Sequence, residues 1–299
     1  MSLSVFLELI EIKAKTASVI PFLLGMCFSQ YYFHQLNLGL AIVFFIAMFL
    51  FNMVVDMFDN YSDYYHADSA SYQQQTNIIG REHISPKLVL TLIISFTVVS
   101  ALLGLWLVTK ASLPVLWMGI FCFVIGYLYS FGPHPISSLP LGELASGFTM
   151  GFMIVLLSVY INAYQVMTWD WGTLGRIFLV ALADELWISN LMLANNLCDA
   201  QEDEDNHRTT IIHFIGKKAG LIDFAVKNVL AFTIILILPF LGLAPKTVWL
   251  TFLIVPFVYK QNKILFKKQV KTETFSTGVK ILLVGSVTQL VTFFIGMLF

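Results

Sequence analysis

Charge is what this sequence has least of. Only 12% of its 299 residues are Asp, Glu, Lys or Arg, where soluble globular domains carry about 25%. Hydrophobic residues make up 58%, and the mean hydropathy is +0.81. Such scarcity excludes a large water-facing module, because at about 20 apolar residues per span plus short loops the chain is used up by roughly eight to ten membrane crossings. Neither sign of charge dominates. Seventeen Lys+Arg against eighteen Asp+Glu give a formal net charge of −1, which offers no basic surface for nucleic acid and no polybasic lipid anchor. Cysteine is scarce too: Cys27, Cys122 and Cys198 lie far apart, with neither a disulfide framework nor zinc-ligand spacing. The opening MSLSVFLELIEIKAK lacks the basic start of a signal peptide and carries Glu8 and Glu11, a pattern that predicts a retained, amphipathic interfacial helix.

The apolar runs predict an all-α, polytopic membrane protein of about nine transmembrane helices, near 16–34, 38–58, 87–108, 113–131, 141–163, 174–197, 221–242, 246–262 and 276–298. Residues 1–299 then form a single integral-membrane domain. Twelve Lys and Arg residues fall on the side of the N-terminus, against Lys110, Arg176 and Lys246 on the other. By the positive-inside rule the N-terminus is cytoplasmic in a multi-pass protein of the cell membrane.

Two connections on the cytoplasmic side, near 52–86 and 195–220, hold ten of the eighteen acidic residues. On a helix, Asn52, Asp56, Asp59 and Asp63 fall within about 60° of arc. Asn195, Asp199, Glu202 and Asn206 repeat the same offsets, with Asp203 about 40° further round from Asp199. The stripes lie about 143 residues apart, and each runs into a similar tail, TNIIGR ending at Arg81 and TIIHFIGK ending at Lys217. This repeat points to two internal halves.

Like-charged carboxylates on one helical face at a membrane boundary need counter-cations. Oxygen ligands on successive turns suit Mg²⁺, which is characteristically held by one or two carboxylates plus substrate phosphate oxygens. With Arg and Lys beside them, the stripes fit a diphosphate bridged by Mg²⁺, and the absence of a Gly-rich Walker sequence argues against a nucleoside triphosphate. A lone acidic loop is usually a solvated face; duplication behind a leading Asn weighs against that here. Asp68, Glu204 and Asp205 lie off the stripes and read as solvated.

At these residues the sequence resembles the UbiA superfamily of intramembrane aromatic prenyltransferases. The family's N-x3-D-x2-D stands as Asn52, Asp56 and Asp59, and its N-x3-D-x3-D as Asn195, Asp199 and Asp203. NNLCDAQEDEDNHRTT is similar to a segment of 1,4-dihydroxy-2-naphthoate prenyltransferases, with Arg208 and Thr210 in its basic and threonine positions. ELIEIKAKT and YSFGPHPISSLPLGEL are similar to two further family segments.

The resemblance implies a UbiA-type bundle and Mg²⁺-dependent transfer of a polyprenyl group from its diphosphate to an aromatic acceptor, 1,4-dihydroxy-2-naphthoate, giving a demethylmenaquinone. It casts Asp56, Asp59, Asp199 and Asp203 as catalytic metal ligands. Asn52 and Asn195 would orient diphosphate or metal-bound water, and Arg81 and Arg208, with Lys15 and Lys217, would clamp diphosphate oxygens. For the two lysines, ordinary positive-inside placement is the competing reading. Tyr129, with Gly132 and Pro133, would line the acceptor pocket, although Gly-Pro there also serves as a helix stop. His134 and Glu143 are further acceptor candidates, while Asp184 and Glu185 lie within a span, where ionisable groups are costly and tend to be functional. The alternatives are another aromatic acceptor or, in a different class, an ion-coupled secondary transporter, whose carboxylates would sit near the midplane and not at cytoplasmic span ends.

Overall fold

The computed structural model describes residues 1–66, 72–132, 134–205 and 208–299, and every element among them is helical. Asp68, Pro133 and Asn206 lie outside the described residues. In chain order the α-helices are α1 (Leu3–Leu9), α2 (Thr16–Phe28), α3 (Leu38–His66), α4 (Ile78–Arg81), α5 (Pro86–Ala111) and α6 (Leu113–Ser130). They continue as α7 (Gly142–Ser146), α8 (Ile154–Ala163), α9 (Trp171–Asp205), α10 (Ile211–Ile237), α11 (Val255–Lys267), α12 (Lys271–Thr274) and α13 (Ser276–Gly296).

Eight stretches of the described residues are long and apolar enough to cross a membrane. The eighth expected span, near 246–262, is not among them and is made of two pieces, a 3-10 helix over Lys246–Ile254 and then α11. Pro256 near the start of α11 explains the join, since proline lacks the N–H needed inside a helix but suits its first turn.

The chain forms two compact units. The first comprises Met1–Thr16 and Ile42–Pro135, the second Ala17–Ala41 and Ile136–Phe299. In the first unit, α5 and α6 pack together, and Leu9, Ile10, Val54, Met57, Ile78, Ile79 and Val89 form the buried centre. Leu9 and Ile10 follow the amphipathic N-terminal pattern, while Leu3 on the same helix is exposed. Leu102, Leu105 and Trp117 point outward from α5 and α6, as side chains facing lipid do.

In the second unit α9 is the central element, packed against α7, α8, α10, α12, α13 and the π-helical turn Gly147–Met153. A Cβ on Gly151 would come within 2.5 Å of the Glu185 Cα, so the glycine lets two backbones meet. Gly278 faces Ala194 and Gly285 faces the Trp187 ring, a register that runs α13 antiparallel to α9. Asn162 accepts from the Asn37 N–H at 2.7 Å, and Asn37 caps the start of α3 by accepting from Leu40 N–H at 3.1 Å.

Candidate active site

Both carboxylate stripes are helical, because α3 and α9 run on past their apolar segments to His66 and Asp205. In the first unit the extension is tied down by backbone acceptors: Asn60 Nδ2 donates to the Asp56 carbonyl at 3.1 Å, and Asn77 Nδ2 donates to the Asn60 carbonyl at 2.9 Å. Asn77 also caps α4 through Ile79 N–H. In the second unit the Arg208 N–H closes the end of α9 on the Asp203 carbonyl at 2.8 Å.

Within the first unit, Lys15 Nζ donates to Asp56 Oδ2 and, at 3.1 Å, to the Asn52 carbonyl. Lys15 is almost fully buried, whereas the Asp56 side chain is 21% exposed. Asp59 Oδ1 accepts from Ser130 Oγ at 2.7 Å. Asn52 Oδ1, one turn before Asp56, is buried with no hydrogen-bond partner among the described residues, a costly state that a bound ligand or water would relieve. Tyr129 is half-buried near the end of α6. Arg81 does not turn to the stripe: its Nη2 donates to Glu8 at 2.6 Å and its Nε to Glu82 at 3.2 Å. Those two carboxylates, Glu8 first, raise its already high pKa.

Within the second unit, Lys271 Nζ donates to both Asn195 Oδ1 and Asp199 Oδ2. Asp203 is buried, accepts from Thr210 Oγ1 at 3.4 Å, and stands 3.8 Å from Arg208 Nε. Arg208 is held in turn by Ser138, whose Oγ accepts from Nε at 3.2 Å and whose carbonyl accepts from the Thr209 N–H at 3.0 Å. Asp203, Arg208, Thr210 and exposed Lys217 line one cavity of about 310 Å³ with Gly216 and Glu204. Gly216, at φ 76° and ψ 160°, bends the chain there. The second unit thus brings Asp203, Arg208, Thr210 and Lys217 to one cavity, with Asn195 and Asp199 outside its lining.

Each unit therefore offers an asparagine followed one turn later by an aspartate, with a lysine ammonium brought in from a distant part of the chain, Lys15 just before α2 and Lys271 at the start of α12. Neither Lys271, Ser130 nor Ser138 stands out in the sequence; Lys271 counts there only as one more cytoplasmic cation. Other candidates sit elsewhere. Glu143 is buried and accepts from Asn196 Nδ2 at 2.8 Å, and His134 is exposed. Asp184, fully buried, precedes Asp199 by fifteen residues of one helix, a rise of about 22 Å, so it is no part of the Asp199 cluster.

A model of the UbiA prenyltransferase family matches residues 18–284. The chain belongs to that family. It is a prenyltransferase, which displaces the transporter alternative. A 1,4-dihydroxy-2-naphthoate octaprenyltransferase of Bacillus subtilis is 28% identical over 242 residues, covering 81% of this chain and 75% of the relative. Among solved structures, a UbiA homologue from Aeropyrum pernix superposes with a TM-score of 0.71 at 17% identity, over 92% of this chain and 97% of the homologue. A UbiA homologue from Archaeoglobus fulgidus bound to GPP and Mg²⁺ does so with a TM-score of 0.62 at 12% identity, over 99% and 100%. At those identities the likeness fixes the fold, a UbiA-type helical bundle.

The donor sets of this UbiA-family chain suit a hard divalent cation: carboxylate and amide oxygens, with the orphaned Asn52 Oδ1 among them. Among the described residues no three His, Cys, Asp or Glu side chains gather at one metal-sized point. A cation in either unit would have coordination left for phosphate oxygens.

Proposed function

We propose that this prenyltransferase moves a polyprenyl group from its diphosphate to 1,4-dihydroxy-2-naphthoate, with Mg²⁺ as cofactor and loss of the acceptor's carboxyl group, giving a demethylmenaquinone. The observation that carries the reading is the pair of Asn-led carboxylate seats, one per unit, each facing a lysine. The naphthoate acceptor is supported by the activity named for the B. subtilis relative, and Mg²⁺ by the ligands named for the A. fulgidus homologue.

In this reading Asp56 and Asp59 would hold one cation and Asp199 and Asp203 another, within a single integral-membrane domain of residues 1–299. A divalent cation held by these carboxylates would supply positive charge to the leaving diphosphate, which favours ionisation of the allylic C–O bond. Asn52 and Asn195 orient phosphate oxygens through their amides. Lys15, Arg208 and Lys217 supply further positive charge, Arg208 already aimed by Ser138. Arg81 joins them only by exchanging Glu8 for phosphate. Tyr129 borders the acceptor. The active site and N-terminus face the cytoplasm of a cell-membrane protein, as the distribution of Lys and Arg favours.

The test is an acceptor panel with purified full-length protein, Mg²⁺ and a labelled prenyl diphosphate. Dihydroxynaphthoate is expected to be prenylated with release of CO₂, and 4-hydroxybenzoate and homogentisate left unchanged. Label appearing only in one of the latter two refutes the naphthoate assignment, and activity undiminished by chelation refutes the metal.

A further inference from the structure

We propose that Lys271 is the built-in counter-cation of the second carboxylate seat, neutralising Asp199 while the seat holds no divalent ion and moving onto the diphosphate when one binds. This rests on the divalent-metal reading above and assigns a residue to it that no sequence motif marks.

Lys271 is held in position by its own turn. Thr274 N–H donates to the Val270 carbonyl at 2.8 Å, and Val270 N–H donates to Thr274 Oγ1 at 2.9 Å. The turn is also fastened to α9, where Thr274 Oγ1 lies 3.7 Å from Cys198 Sγ, next to Asp199. The nearest acid on Lys271's own helix is already taken, for Glu273 pairs with Lys268 at 2.5 Å. The ammonium instead bridges Asn195 and Asp199, the first two members of the stripe. Lys15 does the equivalent in the first unit, reaching the Asn52 carbonyl and Asp56 from the opposite end of the sequence.

The two lysines differ in one respect. The Lys15 side chain is 3% exposed and locked in, whereas that of Lys271 is 47% exposed while its partner Asp199 is 14% exposed. Lys271 can therefore leave its carboxylate without a large change in solvation. An ammonium and a divalent cation on the same Asp199 oxygen repel each other at close range. The ammonium must give way, and a diphosphate bound to that cation would be a strong anionic acceptor for it.

A purely structural lysine would weaken both ligands when removed; a displaceable counter-cation moves them in opposite directions. With purified full-length protein and Mn²⁺ alone, followed by electron paramagnetic resonance, Lys271→Ala should bind Mn²⁺ roughly tenfold more tightly than wild type. With Mn²⁺ saturating, the same variant should bind inorganic pyrophosphate roughly tenfold more weakly. Lys271→Gln, which keeps the side-chain length and a polar tip, should follow it, with both checked for a monodisperse size-exclusion profile. Unchanged or weakened Mn²⁺ binding in both variants, while Asp199→Asn still lowers the number of bound Mn²⁺ by one in the wild-type background, overturns the role of Lys271 and leaves the metal seat standing. A number of bound Mn²⁺ unchanged by Asp199→Asn overturns the metal reading of this seat and the proposal with it.

Discussion

Asp56 and Asp199 occupy the same place in their stripes, four residues after an asparagine, and each is the acid that a lysine reaches. Asp56→Ala and Asp199→Ala should each lower prenyl transfer by at least roughly 100-fold in steady-state assays at fixed Mg²⁺, the scale on which losing a transition-state charge partner is felt. Ser130 should matter less. Its hydroxyl holds Asp59 at 2.7 Å without being a ligand, and Ser130→Ala is expected to weaken Mn²⁺ binding by about 10- to 100-fold, the range for an outer partner of a metal ligand. At this scale the carboxylates were readable because their 3.6-residue spacing is a local property. Ser130 and Lys271 were not, since each lies more than 70 residues from its partner and only the folded chain introduces them. Arg81 shows the converse: its place after the first stripe suggested a phosphate ligand, but Glu8, brought alongside by α1, holds its guanidinium.

The helices themselves followed apolar length closely, and the departures fall where backbone geometry overrides hydropathy. Nothing in the run 141–163 announces the π-helical turn at Gly147–Met153, which follows from the close approach of Gly151 to α9. Gly151→Val should therefore lower the thermal midpoint sharply in a detergent-solubilised melt. Gly104→Ala on α5, where an added Cβ meets nothing within 4 Å, should leave it unchanged or raise stability by about 0.5–1 kcal/mol. The start of α9 makes a separate prediction. Asp170 accepts from the Thr168 hydroxyl, from Thr173 N–H at 2.9 Å and from Thr173 Oγ1 at 2.8 Å. These bonds, that of Thr168 foremost, hold its carboxyl down to about 2 from the ordinary 3.8. A folded-state pKa below the unfolded one stabilises above the unfolded value and is lost as pH falls through the folded one. Asp170→Ala should lower the melting midpoint at about pH 6, with the difference from wild type shrinking below about pH 4.

For the whole molecule, scarcity of charge identified the lipid solvent, and the uneven placing of Lys and Arg leads to the proposed orientation, which labelling tests. Single cysteines at Gln74 and Glu204, in a background free of Cys27, Cys122 and Cys198, should react with an impermeant maleimide only from the cytoplasmic side, and cysteines at Lys110 and Lys246 only from the other. The division into two units was only half legible. The repeat of the stripes suggested two halves in sequence, but Ala17–Ala41 folds with the second unit, so the N-terminal span crosses over between them. Contacts such as that of Gly25 with Ser158 decide this, and no periodicity encodes them.

The burial of Asp184 and Glu185 in the middle of α9 also bears on how the protein is made. On a lone helix, an aspartate near the bilayer centre costs about 2.5–3.5 kcal/mol on the insertion scale. The rest of α9 is apolar enough to cross a membrane despite that cost, and the antiparallel surface of α13 that covers its Trp187 face is synthesised only some 90 residues later. The sixth span thus enters the membrane before the last of its packing partners exists, and its final packing waits for the C-terminal helix.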